Sequence, residues 1–195
     1  MLTDKDLWFP NYIWSGTLKN INNEEIKRYC EEKIKETYLQ PKDWFKSFIK
    51  LEECVDVAKL VGIIDQCVAT AADECGIKPL QLHNIWVTQH PPGVAGPVHT
   101  HAGDEIASSA IFSGVYYLDA DPTIDQGNIE FERRSGEEHA IPLNMIKELT
   151  PYTRSIVQYD SATNDLYIFS SWIPHGVTRN NSDKDRFSIS FNYGE

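Results

Sequence analysis

The sequence contains no long apolar run and few basic residues. No stretch approaches the roughly 18 consecutive apolar residues that a membrane-spanning helix requires. Lys and Arg number 18 against 29 Asp and Glu, which gives a formal net charge of −11. Because non-specific binding to nucleic acids and anionic membranes depends on basic contacts to phosphate, this charge disfavours both as partners.

The four cysteines are not spaced for a zinc knuckle or a redox pair. None of Cys30, Cys54, Cys67 and Cys75 stands in a C-x-x-C arrangement, the usual signature of both. The first six residues are charged and lack the apolar core of a secretory signal. We therefore expect reduced thiols and a cytoplasmic protein.

The chain has the length of one domain. Its 195 residues contain no internal repeat, low-complexity tract or linker. We expect a single domain in which residues 1–80 form an N-terminal arm with supporting helices and residues 81–195 form a β-rich core. Aromatic residues near the N-terminus, including Trp8 and Trp14, predict an extended segment that either packs on the body or forms a homodimer surface.

Two apolar stripes with helical spacing lie in the first 80 residues. Ile26, Cys30, Ile34 and Tyr38 recur every four residues, which predicts one helix. A second helix is predicted over about 52–75, and Gly76 stands just after it, where glycine is favoured. Both stripes are expected to pack against a sheet.

After residue 80, short β-rich runs alternate with turn residues. Strands are predicted near 83–90, 108–119, 127–132, 155–159, 165–170, 175–179 and 186–192. Two helices followed by many short strands indicate an α+β fold with a β-sandwich or barrel.

Three histidines stand in patterns that could hold a metal ion. His99 and His101 are two residues apart, so their imidazoles point the same way if this segment is a strand. His175 follows an apolar strand. Taken singly, each of these patterns is more often structural. Asp104 could join them only if the chain turns back after His101; otherwise it is a solvated loop acid.

Arg186 begins the strongest strand pattern in the chain. An apolar face alternates strictly with a polar one: Phe187, Ile189 and Phe191 against Arg186, Ser188, Ser190 and Asn192. The polar face is either a hydrated surface or, at the mouth of a barrel, an anion site. In the second case the guanidinium would bind a carboxylate through two parallel hydrogen bonds.

Four motifs follow one another in a specific order: His99-Thr-His101, Ser113-Gly-Val-Tyr-Tyr-Leu118, Pro174-His-Gly-Val177 and Arg186 to Asn192. In this order they resemble a small family of iron(II)- and 2-oxoglutarate (2OG)-dependent oxygenases of marine bacteria and phages, similar to prolyl hydroxylases. The resemblance covers about residues 83–192. It implies a double-stranded β-helix, the jelly-roll or cupin-like core, with the N-terminal helices packed on one sheet.

The resemblance also implies that His99, His101 and His175 bind Fe(II). Most members of the wider superfamily use two histidines and one carboxylate, whereas this chain has His101 at the carboxylate position. A site of three neutral imidazoles carries one negative charge fewer than the usual set of two histidines and one carboxylate. Whether Asp104 replaces one histidine, and which metal is used, therefore stays open.

The co-substrate site is implied in the same way. Arg186, assisted by Ser188, would bind the distal carboxylate of 2OG. Either Tyr117 or Tyr116 would contact the co-substrate, but not both, because neighbours on a strand face opposite sides. The remaining pocket candidates are Asn192, Asn84 and Gln89.

The implied activity is that of a 2OG-dependent dioxygenase, which consumes O2 and releases succinate and CO2. By analogy with prolyl hydroxylases, we expect hydroxylation of a C–H bond in a peptidyl or small, amino-acid-like substrate. A cupin-like three-histidine metalloenzyme would keep the histidines but have no use for Arg186. A non-enzymatic β-sandwich binding module would place Arg186 in a salt bridge and the histidines apart.

Overall fold

The computed structural model describes residues 11–37, 45–101, 110–133 and 141–195. Two antiparallel sheets face each other, and two helices cover the outer face of the larger one. The elements, in chain order, are β1 (Ile13–Thr17), α1 (Asn23–Thr37), β2 (Phe45–Phe48), α2 (Val55–Glu74), β3 (Gln81–His90), β4 (Gly96–His99), β5 (Ala110–Asp119), β6 (Ile129–Glu132), β7 (Ile156–Tyr159), β8 (Asp165–Ser170), β9 (His175–Val177) and β10 (Arg186–Gly194).

Both predicted helices form, and each buries its apolar stripe. α1 buries Ile26, Cys30 and Ile34, while Tyr38 lies outside the described residues. After α2 the chain turns at Gly76, whose φ of 66° is a left-handed conformation that glycine adopts at low cost. Within the described ranges, no helix is long and apolar enough to cross a membrane.

The six-stranded sheet, ordered β1-β8-β5-β10-β3-β2, separates two apolar cores. The apolar face of β10 packs under the helices in the first core, as its alternation predicts. The polar face is therefore turned toward the second sheet, ordered β4-β9-β6-β7. The core between the sheets includes Val115, Tyr117, Phe131 and Phe169. This arrangement is the α+β double-stranded β-helix that was predicted.

The structure also contains three strands that the sequence did not predict, β1, β2 and β4. β1 and β2 form the two edges of the six-stranded sheet, so residues before 81 contribute strands to the core besides the expected arm and helices. β4 contains Gly96 and Pro97, two residue types depleted in strands, so its sequence lacks a strand pattern. The single-domain organisation stays a prediction.

Gly114 in β5 lies against the ring of Phe191 on β10. A Cβ atom at this position would overlap that ring and come within 2.7 Å of the Tyr167 carbonyl oxygen. We expect Gly114→Ala to lower the free energy of unfolding by about 1–3 kcal/mol, the usual cost of overpacking, measured by urea denaturation. The control is Gly16→Ala in β1, where an added Cβ meets nothing within 4 Å. Equal losses in the two variants would contradict the packing argument.

Candidate metal centre and co-substrate pocket

The three candidate histidines converge at one end of the space between the sheets. His99, at the end of β4, lies opposite His175 of β9 in the strand register. His101 follows two residues later, and its backbone N–H donates to the Ser171 carbonyl at 2.9 Å. Each ring offers one nitrogen that lies within 4.8 Å of the other two. The structure thus brings together all three predicted ligands.

Each of these rings uses Nδ1 for a hydrogen bond to an oxygen. His99 and His175 bond the carbonyl oxygen two residues earlier in the chain, both at 2.9 Å. His101 Nδ1 bonds Oδ1 of Asn192 at 2.6 Å. Because a carbonyl oxygen only accepts, Nδ1 must carry the proton in each ring. Each Nε2 therefore presents a lone pair.

The Nε2 atoms of His99 and His101 are 3.0 Å apart. Two lone pairs at this distance repel each other unless a proton or a cation lies between them. Two nitrogens bound at right angles to one ion, each about 2.1 Å from it, are themselves about 3.0 Å apart. Burial lowers the pKa of His175 to about 3, which keeps this ring neutral and able to bind a metal. The donor set therefore fits a divalent ion held on one face.

Asn192 is placed behind His101. Its Oδ1 accepts from His101 and from the Ser113 hydroxyl at 2.7 Å, and its Nδ2 donates to Asn84 Oδ1 at 2.9 Å. The amide of Asn192 thus orients a candidate ligand, and its expected contact with the co-substrate stays a prediction. The Ser113 hydroxyl also lies 3.1 Å from His101 Nδ1. Sequence reasoning missed this role of Ser113, because its spacing does not show which residues lie opposite it in the sheet.

Arg186 lies in the same cavity and is 2% exposed. Its Nη1 donates to the Gly127 carbonyl and to the Ser161 hydroxyl, the latter at 3.4 Å. Nε has no hydrogen-bond partner, and no carboxylate among the described residues forms a salt bridge with this guanidinium. Burial lowers the pKa of Arg186, yet a guanidinium stays charged. A buried cation without a counter-ion is costly, so this end of the cavity favours an anion.

Ser188 and Tyr117 lie next to Arg186 on the cavity wall. They are register partners on β10 and β5, and the Tyr117 ring centre is 5.3 Å from the guanidinium carbon. Tyr116 faces the helices, where its hydroxyl donates to Asn23 and Asn164. Of the two tyrosines, Tyr117 is therefore the one that can reach a co-substrate.

Strand β3 supplies cavity residues that sequence reasoning mostly missed. Asn84 was expected, but Trp86, Thr88 and His90 line the cavity as well. The two-residue period of a strand would have identified them once Asn84 was chosen. The same period turns Gln89 to the opposite face, where it bonds Asp185 at 2.5 Å, so it does not belong to the pocket.

The mouth of the cavity is lined by aromatic and basic side chains. The Trp86 ring centre lies 5.9 Å from that of His101, and the Lys46 ammonium lies 4.0 Å over the Trp86 ring. Phe48 is 55% exposed beside them. Asp104, the other candidate ligand, lies outside the described residues, so its role stays a prediction.

Comparison with known families identifies the chain. A family model described as "Putative 2OG-Fe(II) oxygenase" matches residues 84–192, which contain the three histidines and Arg186. The chain belongs to this family. It is an oxygenase that uses Fe(II), 2OG and O2, as the order of its motifs predicted. No curated protein sequence matches it.

Solved structures share the fold of this oxygenase at low sequence identity. A prolyl-4-hydroxylase from Pseudomonas putida superimposes with a TM-score of 0.67 at 13% identity, covering 94% of this chain and 92% of the other. A prolyl hydroxylase from Trichoplax adhaerens, solved with a peptide fragment, gives 0.67 at 14%, covering 94% and 83%. HygX from Streptomyces hygroscopicus, solved with nickel and 2OG, gives 0.65 at 14%, covering 94% and 82%.

Asn192 should control metal affinity through His101. We expect Asn192→Leu to weaken Mn(II) or Fe(II) binding about 10–100-fold, the usual effect of losing the partner that orients a ligand. Asn192→Asp keeps an acceptor and should retain affinity. Anaerobic calorimetry measures both, with Ser190→Ala on the same cavity face as control. Equal affinities for Asn192→Leu and Ser190→Ala would show that the hydrogen bond to His101 has no such role.

Proposed function

We propose that this oxygenase hydroxylates a C–H bond of a peptidyl or amino-acid-like substrate. In the proposed site His99, His101 and His175 hold Fe(II), while Arg186, Ser188 and Tyr117 bind 2OG. One observation carries the assignment of these residues: three converging imidazole lone pairs and an uncompensated guanidinium share one cavity. When bound, Fe(II) supplies the activation of O2 that is coupled to oxidation of 2OG to succinate and CO2.

The two ends of the cavity match the two ends of 2OG. The distal carboxylate offers acceptors for the Arg186 guanidinium, whose Nε lacks a partner. Ser188 and Tyr117 add hydroxyl groups beside it, which favours a charge-assisted hydrogen-bond network. The 2-oxo acid end then lies toward the histidines. A ligand with a single carboxylate would leave one of the two ends unfilled.

The size of the cavity suggests where the primary substrate binds. Its volume of about 200 Å³ lies below the roughly 300–1,000 Å³ of pockets that hold drug-sized ligands. Once 2OG occupies this cavity, the mouth near His99, Trp86 and Phe48 is left for the primary substrate. An open, aromatic mouth suits a side chain presented by a larger molecule, and the structurally similar Trichoplax adhaerens prolyl hydroxylase was solved with a peptide fragment.

The two alternative functions fit the site less well. A cupin-like three-histidine enzyme gives no reason to bury a guanidinium without a counter-ion beside the metal site. A binding module predicts separated histidines, whereas these three converge. We also propose a cytoplasmic location, supported by four free thiols. The possible homodimer stays a prediction.

An anaerobic titration tests the metal and co-substrate residues. Adding Fe(II) and then 2OG should produce the visible charge-transfer band of a 2-oxo acid chelated to iron. Arg186→Ala should retain iron but bind 2OG about 100-fold more weakly, because hydrogen bonds between charged groups contribute about 1.5–3 kcal/mol each. The exposed Arg154→Ala is the control.

Each failure of this titration has a distinct meaning. Iron binding without the band would favour the cupin-like alternative. Absence of iron binding would refute the ligand assignment. A band that reaches half-saturation at the same 2OG concentration in Arg186→Ala and wild type would remove Arg186 from the co-substrate site.

Product analysis tests the substrate class. Incubation of the iron-loaded enzyme with 2OG, O2 and a complex peptide mixture should add the mass of one oxygen atom to specific peptides, matched by succinate formation. Free amino acids should stimulate succinate formation less than peptides do. His175→Ala, which removes a buried candidate ligand, serves as the inactive control. Oxidation of free amino acids alone would exclude a peptidyl substrate and leave the amino-acid-like one, and oxidation of neither would contradict the proposed substrate class.

A further inference from the structure

His90 is a buried histidine at the Arg186 end of the cavity that the proposed function does not use. It is 1% exposed and lines the cavity. It ends β3 directly opposite Arg186 of β10. Opposite residues on antiparallel strands have Cβ atoms about 4.5–5.5 Å apart. The imidazole and the guanidinium therefore adjoin the same part of the cavity.

One hydrogen bond fixes the orientation of the His90 ring. Nε2 lies 2.9 Å from the Val94 carbonyl oxygen, which also accepts from the Asn180 backbone N–H at 2.8 Å. Because the carbonyl only accepts, Nε2 carries the proton of the neutral ring. The nitrogen left to meet a ligand in the cavity is Nδ1, and it can donate to an anion only when the ring is doubly protonated.

The surroundings keep this ring neutral as long as no anion is present. Burial, and then the charge of Arg186, lower the pKa of His90 to about 4. Tyr117 faces the same space from β5, and Lys46 lines the same cavity from β2. The nearest acid in sequence, Asp185, bonds Gln89 on the opposite face of the sheet. No acid among the described residues lines the cavity with His90.

We propose that His90 is a second binding residue for the distal carboxylate of 2OG and that it takes up one proton when this carboxylate binds. The inference rests on the proposed function, because it assumes that the carboxylate sits on Arg186. The bound anion offsets the repulsion from the guanidinium and provides an acceptor for Nδ1–H. The proton comes from solvent, and no bond to carbon is made or broken.

Proton uptake links co-substrate affinity to pH in a defined direction. Below about pH 4 His90 is already protonated in the free protein, so binding takes up no proton there. Between that pH and the higher pKa of the bound state, binding takes up a proton, and the affinity for 2OG falls by up to about tenfold for each unit of rising pH. Above the bound-state pKa, binding takes up no proton and the affinity stays at its lower value.

Calorimetry measures the proton directly. The protein is loaded with Mn(II), a redox-stable substitute for Fe(II), and titrated with 2OG at pH 6.5 in buffers of different ionisation enthalpy. Wild type should take up between about half a proton and about one proton for each 2OG bound. 2-Oxobutyrate, which keeps the chelating end but lacks the distal carboxylate, should cause no comparable uptake. This comparison requires no variant.

His90→Gln is the matched variant, since its side-chain N–H can still donate to Val94. It should bind Mn(II) normally, bind 2OG about tenfold more weakly, the loss of one charged hydrogen bond, and take up no proton. Three results would overturn the role of His90 but leave the proposed function standing. Wild type could bind 2OG without proton uptake, His90→Gln could show the same uptake as wild type, or 2-oxobutyrate could cause the same uptake as 2OG. If wild type binds Mn(II) but not 2OG, both this inference and the proposed function fail.

Discussion

A buried positive charge, with no counter-ion among the residues that the structure describes, is the feature on which the rest of the site depends. Arg186 is placed there by β10, whose opposite face packs under the helices in the main core. The strand cannot slip by one residue without exchanging its polar and apolar faces. One strand therefore fixes both the packing of the larger sheet and the end of the cavity that is proposed to bind the anion. A ligand that neutralises this charge also stabilises the folded state.

In the proposed site, the charge at the other end of the cavity comes from the metal ion. Three neutral imidazoles around a divalent ion would retain two positive charges, whereas a ligand set with one carboxylate would retain one. The doubly charged anion of 2OG can then balance the ion at one end while it pairs with Arg186 at the other. The hydrogen bonds of the three Nδ1 atoms set the tautomers without adding any negative charge to the site.

The sequence predicted those parts of the fold that depend on local periodicity. The strands from β5 to β10 and both helices follow from two- and four-residue spacings. β1 and β2 were missed because they are short edge strands, and β4 because Gly96 and Pro97 are typical of turns. The alternation of a strand does not show which of two neighbouring residues faces the cavity. Tyr116 and Tyr117 could therefore not be told apart before the strand register was known. Ser113 and His90 acquire their roles from neighbours on other strands.

The three candidate metal ligands differ in the sequence separation between each histidine and the residue that accepts its Nδ1 hydrogen bond. His99 and His175 are oriented by carbonyl groups two residues away, so the local backbone alone can preset those rings. His101 depends on Asn192, 91 positions later in the sequence. Ser113 of β5 also lies 3.1 Å from this nitrogen, but the 2.6 Å bond forms only after the last strand has docked. The full set of ring orientations is thus a property of the complete pair of sheets, and a fragment that contains all three histidines but lacks β10 would not reproduce it.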